Sequence, residues 1–313
     1  MKAFYYSSIA IIAGLLFSSY VFQTQTEKQD KKLLADFRYK NLPCSEVIKR
    51  INNINYADED GMSFLIITSA KGNTTLCEML FNKGAVIDWQ AKDGMNALVA
   101  AAMQQHPIVV KFLLDKGAKP DLRWDGITAL MIAAESGQAE IVKMLLDQGA
   151  DPDLIWERTT ALMIASQEGK TEVARLLLEA GAQLDLKDNY GWTALTIAAQ
   201  FGRTEITKLL LEKGAEMNLQ ATDGITTLMI ASREGKTEIV KLLLEKGAQV
   251  NMQDTYGLTA LSFASQMSRP EIVKLLLGKG ADPNIKSNEV KTAYDYAQNK
   301  YIKTILTAYS KEE

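Results

Sequence analysis

The side chains able to carry chemistry are few and far apart. The 313 residues include one histidine, His106, and two cysteines, Cys44 and Cys77. A protein zinc site takes three or four soft ligands, and most acid–base catalysis leans on a histidine near its reacting partner. This inventory supplies neither, so most metalloenzymes are excluded and no cofactor is expected. No Gly-x-x-x-x-Gly-Lys-Ser/Thr, Gly-x-Gly-x-x-Gly or Gly-x-Ser-x-Gly run occurs. His106, within Gln105-His106-Pro107, reads as a solvent-exposed turn residue. Asp and Glu are plentiful, but they stand at helix starts and loop tips, where a solvated surface accounts for them better than a paired-carboxylate site. We therefore expect no catalytic residue and no metal ligand. The balance of 35 Lys+Arg against 38 Asp+Glu, net −3, also argues against nucleic acid as a partner.

What must be positioned, then, is a surface rather than a reaction centre, and the chain's organisation points the same way. Residues 1–22 carry Lys2 as their single charge and an apolar centre from Ile9 to Phe17. This reads as an export signal, with an uncleaved membrane anchor as the alternative. The expected location is periplasmic or secreted, and the expected membrane contact is through residues 1–22 alone. Residues 23–40 are read as a polar linker. Beyond them Gly-Ala recurs at Gly84, Gly117, Gly149, Gly181, Gly214, Gly247 and Gly280, at intervals of 32 or 33 residues. Thr-Ala-Leu keeps the same beat at Thr128, Thr160, Thr193 and Thr259. A period near 33 means a stack of small units, each unable to bury its apolar face alone.

Gly224–Tyr256 serves as the model unit. Thr226 is expected to cap a first short helix that Gly235 ends, and Thr237 to cap a second. Glu238 then meets the positive end of that helix and pairs with Lys241. Ile239, Val240, Leu242, Leu243 and Leu244 make the second helix apolar around most of its circumference, and Gly247 stops it. Asp-Gly-x-Thr-Ala-Leu, followed by Gly-x-x-Glu-Ile-Val-Lys-x-Leu-Leu-x-x-Gly-Ala, resembles the ankyrin repeat over about residues 41–309. The resemblance implies an all-α solenoid of helix-turn-helix units with short hairpin-like loops, and protein–protein interaction as its role. Residues 41–60 read as an N-terminal capping helix, 61–289 as seven repeats and 290–313 as a C-terminal cap. At the position where the family has histidine, this chain has Ile66, Val99, Met131, Met163, Thr196, Met229 and Ser262, so packing must replace a polar network. Asn96 in place of Thr, beside a short polar cap, predicts that the N-terminal third opens first. The stack could bring Cys44 near Cys77, and a bridge or two free thiols are both open.

Residues beside the turn glycine, and those just before the inter-helix glycine, are free of stacking duty and face the concave side. There the chain places Trp124, Trp156, Tyr190, Trp192, Phe201 and Tyr256, with Glu135, Gln167, Glu168, Arg233 and Glu234 as a polar surround. Aromatic residues of this kind are the usual anchors of protein interfaces. The competing reading is packing between neighbouring loops, the expected role of Trp89. The function expected is non-catalytic binding of a partner protein, with a membrane-anchored structural spacer as the alternative and an enzyme improvised on the repeats behind it.

Overall fold

Helix, tight turn, helix, loop is the repeating order in this computed structural model, which describes residues 24–40 and 42–309. The segment 1–22 read as an export signal or anchor, and the end of the C-terminal cap, lie outside the described residues. Contacts divide the chain into two units, Met1–Ala133 with Lys143–Ala150, and Ala134–Val142 with Asp151–Glu313. The first unit holds α1 (24–39), α2 (Cys44–Arg50), α3 (Phe64–Ala70), α4 (Thr74–Asn82), α5 (Ala97–Met103) and α6 (Pro107–Asp115). A two-stranded hairpin, β1 (Arg123–Trp124) and β2 (Ile127–Thr128), follows. Next come α7 (Ala129–Ser136) and α8 (Ala139–Asp147). In the second unit lie α9 (Ala161–Glu168), α10 (Thr171–Glu179), α11 (Ala194–Gln200), α12 (Thr204–Glu212), α13 (Thr227–Arg233) and α14 (Thr237–Glu245). The unit closes with α15 (Ala260–Gln266), α16 (Pro270–Leu277), α17 (Ala293–Tyr296) and α18 (Lys300–Tyr309). This is the expected all-α solenoid.

First helices begin as the repeat phrase predicts. Thr226 Oγ1 accepts the Met229 N–H at 3.3 Å, and Thr160, Thr193 and Thr259 act alike. Second helices do not: α14 has Lys236 at its cap without a side-chain bond, and the Thr237 N–H donates to Gly235 O at 3.1 Å. Gly235 turns the chain so sharply, at φ +72°, that Lys236 takes the cap position and the threonine expected there becomes the first helical residue. Glu238 and Lys241 do pair, at 2.8 Å. Ile239, Val240, Leu243 and Leu244 are buried, and every residue at the substituted histidine position is at most 4% exposed. Packing replaces the polar network at the five apolar positions, whereas the Thr196 and Ser262 hydroxyls keep hydrogen bonds to Thr193, Thr227 and Thr259.

Successive units are tied by a rung that needs one acceptor per loop. Three residues after Gly-Ala, an Asp or Asn oxygen accepts the backbone N–H that follows Gly-Ala in the next repeat. In the first unit Asp88 takes Lys119 N–H at 3.0 Å. In the second, Asp153, Asp185, Asn218 and Asn251 take Gln183, Glu216, Gln249 and Asp282 at 2.9 to 3.1 Å. Backbone to backbone, the Asp125, Thr222, Thr255 and Asn288 N–H groups reach Asp93, Tyr190, Asp223 and Tyr256 carbonyls in the preceding loop. Loop spacing is therefore set by hydrogen bonds as well as by helix packing.

Several expectations fail at the N-terminal end. Residues 24–39, read as linker, are helical, because Asp30, Leu33, Leu34 and Phe37 share one face and are all buried. The Phe37 ring lies 6.3 Å from Phe64, and Asp30 accepts the Asn52 and Asn53 N–H groups at 2.9 and 2.8 Å. The polar first half of this helix obscures so short an apolar stripe. Nor is Asn96 a weak cap: its Oδ1 accepts the Val99 N–H at 3.0 Å, and asparagine caps at least as well as threonine. That removes the Asn96 ground for early opening of the N-terminal third, while α2 is the short cap helix expected, with Val47 as its one buried residue. His106 is half-buried rather than exposed. Its Nε2 is 3.1 Å from Ala70 O, and its ring sits against Gly72, where an added Cβ would come within 2.6 Å. Cys44 and Cys77 are free thiols, and burial pushes Cys77 up to about 11.

Two measurements test this account. Phe37→Ala should lower unfolding free energy by about 3 kcal/mol in denaturant titration, whereas a linker residue would tolerate it. Val290 occupies the turn-glycine position with φ +61°, a conformation poorly suited to a β-branched residue. Val290→Gly should therefore raise stability by about 1 kcal/mol, and a loss would show the strain argument wrong.

Candidate functional site

One open cleft of about 290 Å³ gathers several of the expected binding residues. It lies within the second unit, lined by Thr159, Met163, Gln167, Asp188, Tyr190, Trp192, Ile197, Gln200 and Phe201. The floor comes from facing first helices: α9 contributes Met163 and Gln167, and α11 contributes Ile197 and Gln200. Phe201 terminates α11 just before Gly202, which keeps its ring at the mouth, 43% exposed.

The wall is a loop folded around one carboxylate. Asp188 Oδ1 accepts the N–H groups of Tyr190 and Trp192, both at 2.8 Å. Those two bonds set the backbone directions from which the aromatic side chains emerge, with ring centroids 6.4 Å apart and planes at 54°. Between them Gly191 has φ +80°, and an added Cβ would lie 2.8 Å from Thr222 N. Tyr190 O in turn accepts both the N–H and the hydroxyl of Thr222, at 2.9 and 2.8 Å. Tyr190 is nonetheless 69% exposed: its backbone is held while its ring stays in water. Asp58 and Asp254 organise their own loops in the same way. In the buried Asp254, desolvation pushes the carboxyl above its usual range against the pull of the Leu258 and Tyr256 N–H groups.

The other expected residues lie elsewhere. Trp124, in the first unit, donates its indole N–H to Asp93 at 2.9 Å, which is the loop-packing role. The Met95 N–H, with that indole, holds Asp93 below the ordinary carboxylate range. Trp89 packs likewise, its indole N–H on Gly61 O at 2.8 Å. Trp156 is half-buried and outside the cleft lining. Its paired bonds with Thr159 close a two-residue turn in which Glu157 and Arg158 have φ +47° and +63°, placing Thr159 at the cleft edge. Tyr256 occupies the equivalent loop position two repeats after Tyr190, 68% exposed and outside the cleft. Of the polar surround, Gln167 lines the cleft and donates to Glu168 at 3.0 Å. Arg233 and Glu234 pair with each other, and Glu135 is exposed outside the lining.

Asp188 is the residue that sequence reasoning missed. An Asp three places before the turn glycine, as in Asp58, Asp188 and Asp254, was the available signal. Met163, expected only to pack, and Ile197 also line the cleft, because helix positions that read as core supply the floor. Among the described residues no group of His, Cys, Asp or Glu could hold a metal ion, and no helix is long and apolar enough to cross a membrane.

The family model for ankyrin repeats in three copies matches residues 38–123, 65–156, 151–221 and 214–287. Ankyrin repeats are protein–protein interaction modules and typically non-catalytic. No curated protein matches the sequence.

If Asp188 organises the loop, Asp188→Ala should lower stability by about 2 kcal/mol and alter the near-ultraviolet signal of Trp192. Asp188→Asn, which keeps an acceptor oxygen, should stay within about 0.5 kcal/mol. Equal effects of the two changes would show that those bonds do not hold the loop.

Proposed function

Because the chain belongs to the ankyrin-repeat family, we propose that it is a non-catalytic binding protein that grips a partner protein at the Tyr190–Trp192–Phe201 cleft. The observation that carries this reading is the exposure of Tyr190 and Phe201, large rings left in water on rigidly held backbone. Burying rings of this size is what anchors most protein interfaces, and held backbone spares the partner the ordering entropy. A catalytic reading has less support: Asp188 is the one charged lining residue, and its Oδ1 is occupied by two backbone N–H groups. A plain structural spacer has no need of exposed aromatics beside a cleft. The uncharged run from Ala3 to Phe22 supports action outside the cytoplasm, in a periplasm or beyond the cell, or at a membrane if the run is retained as an anchor.

The test is a photo-crosslinking amino acid at position 201 of the full chain, compared with one at exposed position 213 after α12. The same protein should be captured from the native compartment at 201 and not at 213. Tyr190→Ala should weaken that capture by about 2 kcal/mol without moving the unfolding midpoint. Equal capture at both positions, or none at 201, would place the partner elsewhere.

A further inference from the structure

The chemistry of the cleft is narrower than aromatic character alone requires. Asp188 is its only charged lining residue. With Oδ1 taken by Tyr190 and Trp192, Oδ2 makes no hydrogen bond among the described residues. The Gln167 amide nitrogen donates to Glu168 Oε1, which leaves its carbonyl oxygen to accept, and Gln200 has no hydrogen-bond partner among the described residues. Three acceptors and three aromatic rings thus share one small depression. Two nearby cations are engaged on backbone carbonyls, Lys187 on Gln220 and Arg203 on Gln167, and neither lines the cleft.

We propose that the group this cleft takes is an arginine side chain of the partner protein, a proposal that rests on the binding reading above. An apolar side chain would cover Asp188 Oδ2 and strip its water while offering no donor, which is unfavourable for a charged oxygen. A carboxylate or phosphate would be repelled by Asp188. An ammonium satisfies the charge but is a compact, strongly hydrated point. A guanidinium is flat, more weakly hydrated and carries five donors in one plane, so a single group can lie against a ring and reach both the carboxylate and the amide carbonyls. Rings and acceptors converging in one depression match that combination and no simpler side chain.

Binding of small probes to the full chain tests this directly. The probes are N-acetyl-arginine methylamide, its neutral near-isostere with citrulline, and the norleucine analogue. The readout is the fluorescence change that disappears in Trp192→Phe. The arginine probe should saturate at millimolar concentration, with the citrulline probe about tenfold weaker. Asp188→Asn, which keeps the Oδ1 acceptor of the loop, should reduce that ratio to about twofold. Arginine and citrulline binding equally well would overturn the proposal. So would tighter binding of norleucine, although the cleft would then still be a binding site. If no probe moves the Trp192 signal while position 201 still crosslinks a partner, the arginine assignment fails and the binding reading stands. Silence in both experiments removes both.

Discussion

A helix of seven to nine residues does not hold itself together in water, and the repeat helices from α3 to α16 are of that length. Their stability has to come from the neighbouring repeat, so the interface between repeats is the interaction on which the rest depends. Burial supplies its strength: Leu210, Val240, Leu243 and Leu276 are fully withdrawn from solvent on second helices that would be marginal alone. The rungs supply its register. Burial is non-directional and would tolerate a small slip, whereas Asn218 reaching the Gln249 N–H at 3.0 Å does not.

The cleft inherits its form from that arrangement. Met163 and Ile197 face one another because α9 and α11 pack as consecutive first helices. Tyr190 is placed by two backbone interactions, one with its own Asp188 and one with Thr222 in the following loop. No element of the site is specific to binding except the side chains that project from it. Their neighbours would be needed for folding whether or not a partner existed.

Much of this was legible before the fold was known, and the limits were physical. The 33-residue beat, the capping role of Thr226 and the stop at Gly247 can be read from residue types whose local preferences dominate. The helix at 24–39 could not, since its four buried positions are spread over eight residues and the first half of the helix is polar. Thr237 looked like a cap because threonine often is one; the tightness of the Gly235 turn moved the boundary. Among the aromatics, Tyr190, Trp192 and Phe201 meet in one cleft, while Trp124 turns to Asp93. Sequence position fixes which loop carries a ring. Whether that ring turns to a neighbouring loop or to solvent depends on an acceptor some 31 residues away, which no local pattern records.

The rungs also determine how the protein answers a pull. Each joins a loop to a backbone amide about 30 residues on, so rungs in successive repeats lie in series along the chain. A load applied through the ends is not shared among them, as it would be across the parallel bonds of a sheared sheet. Every interface in the series carries the whole of it, so they give way one at a time, the weakest first. Each surrender releases about 33 residues, or about 110 Å of extended chain. A chain tied this way is expected to lengthen in repeat-sized steps rather than in one rupture.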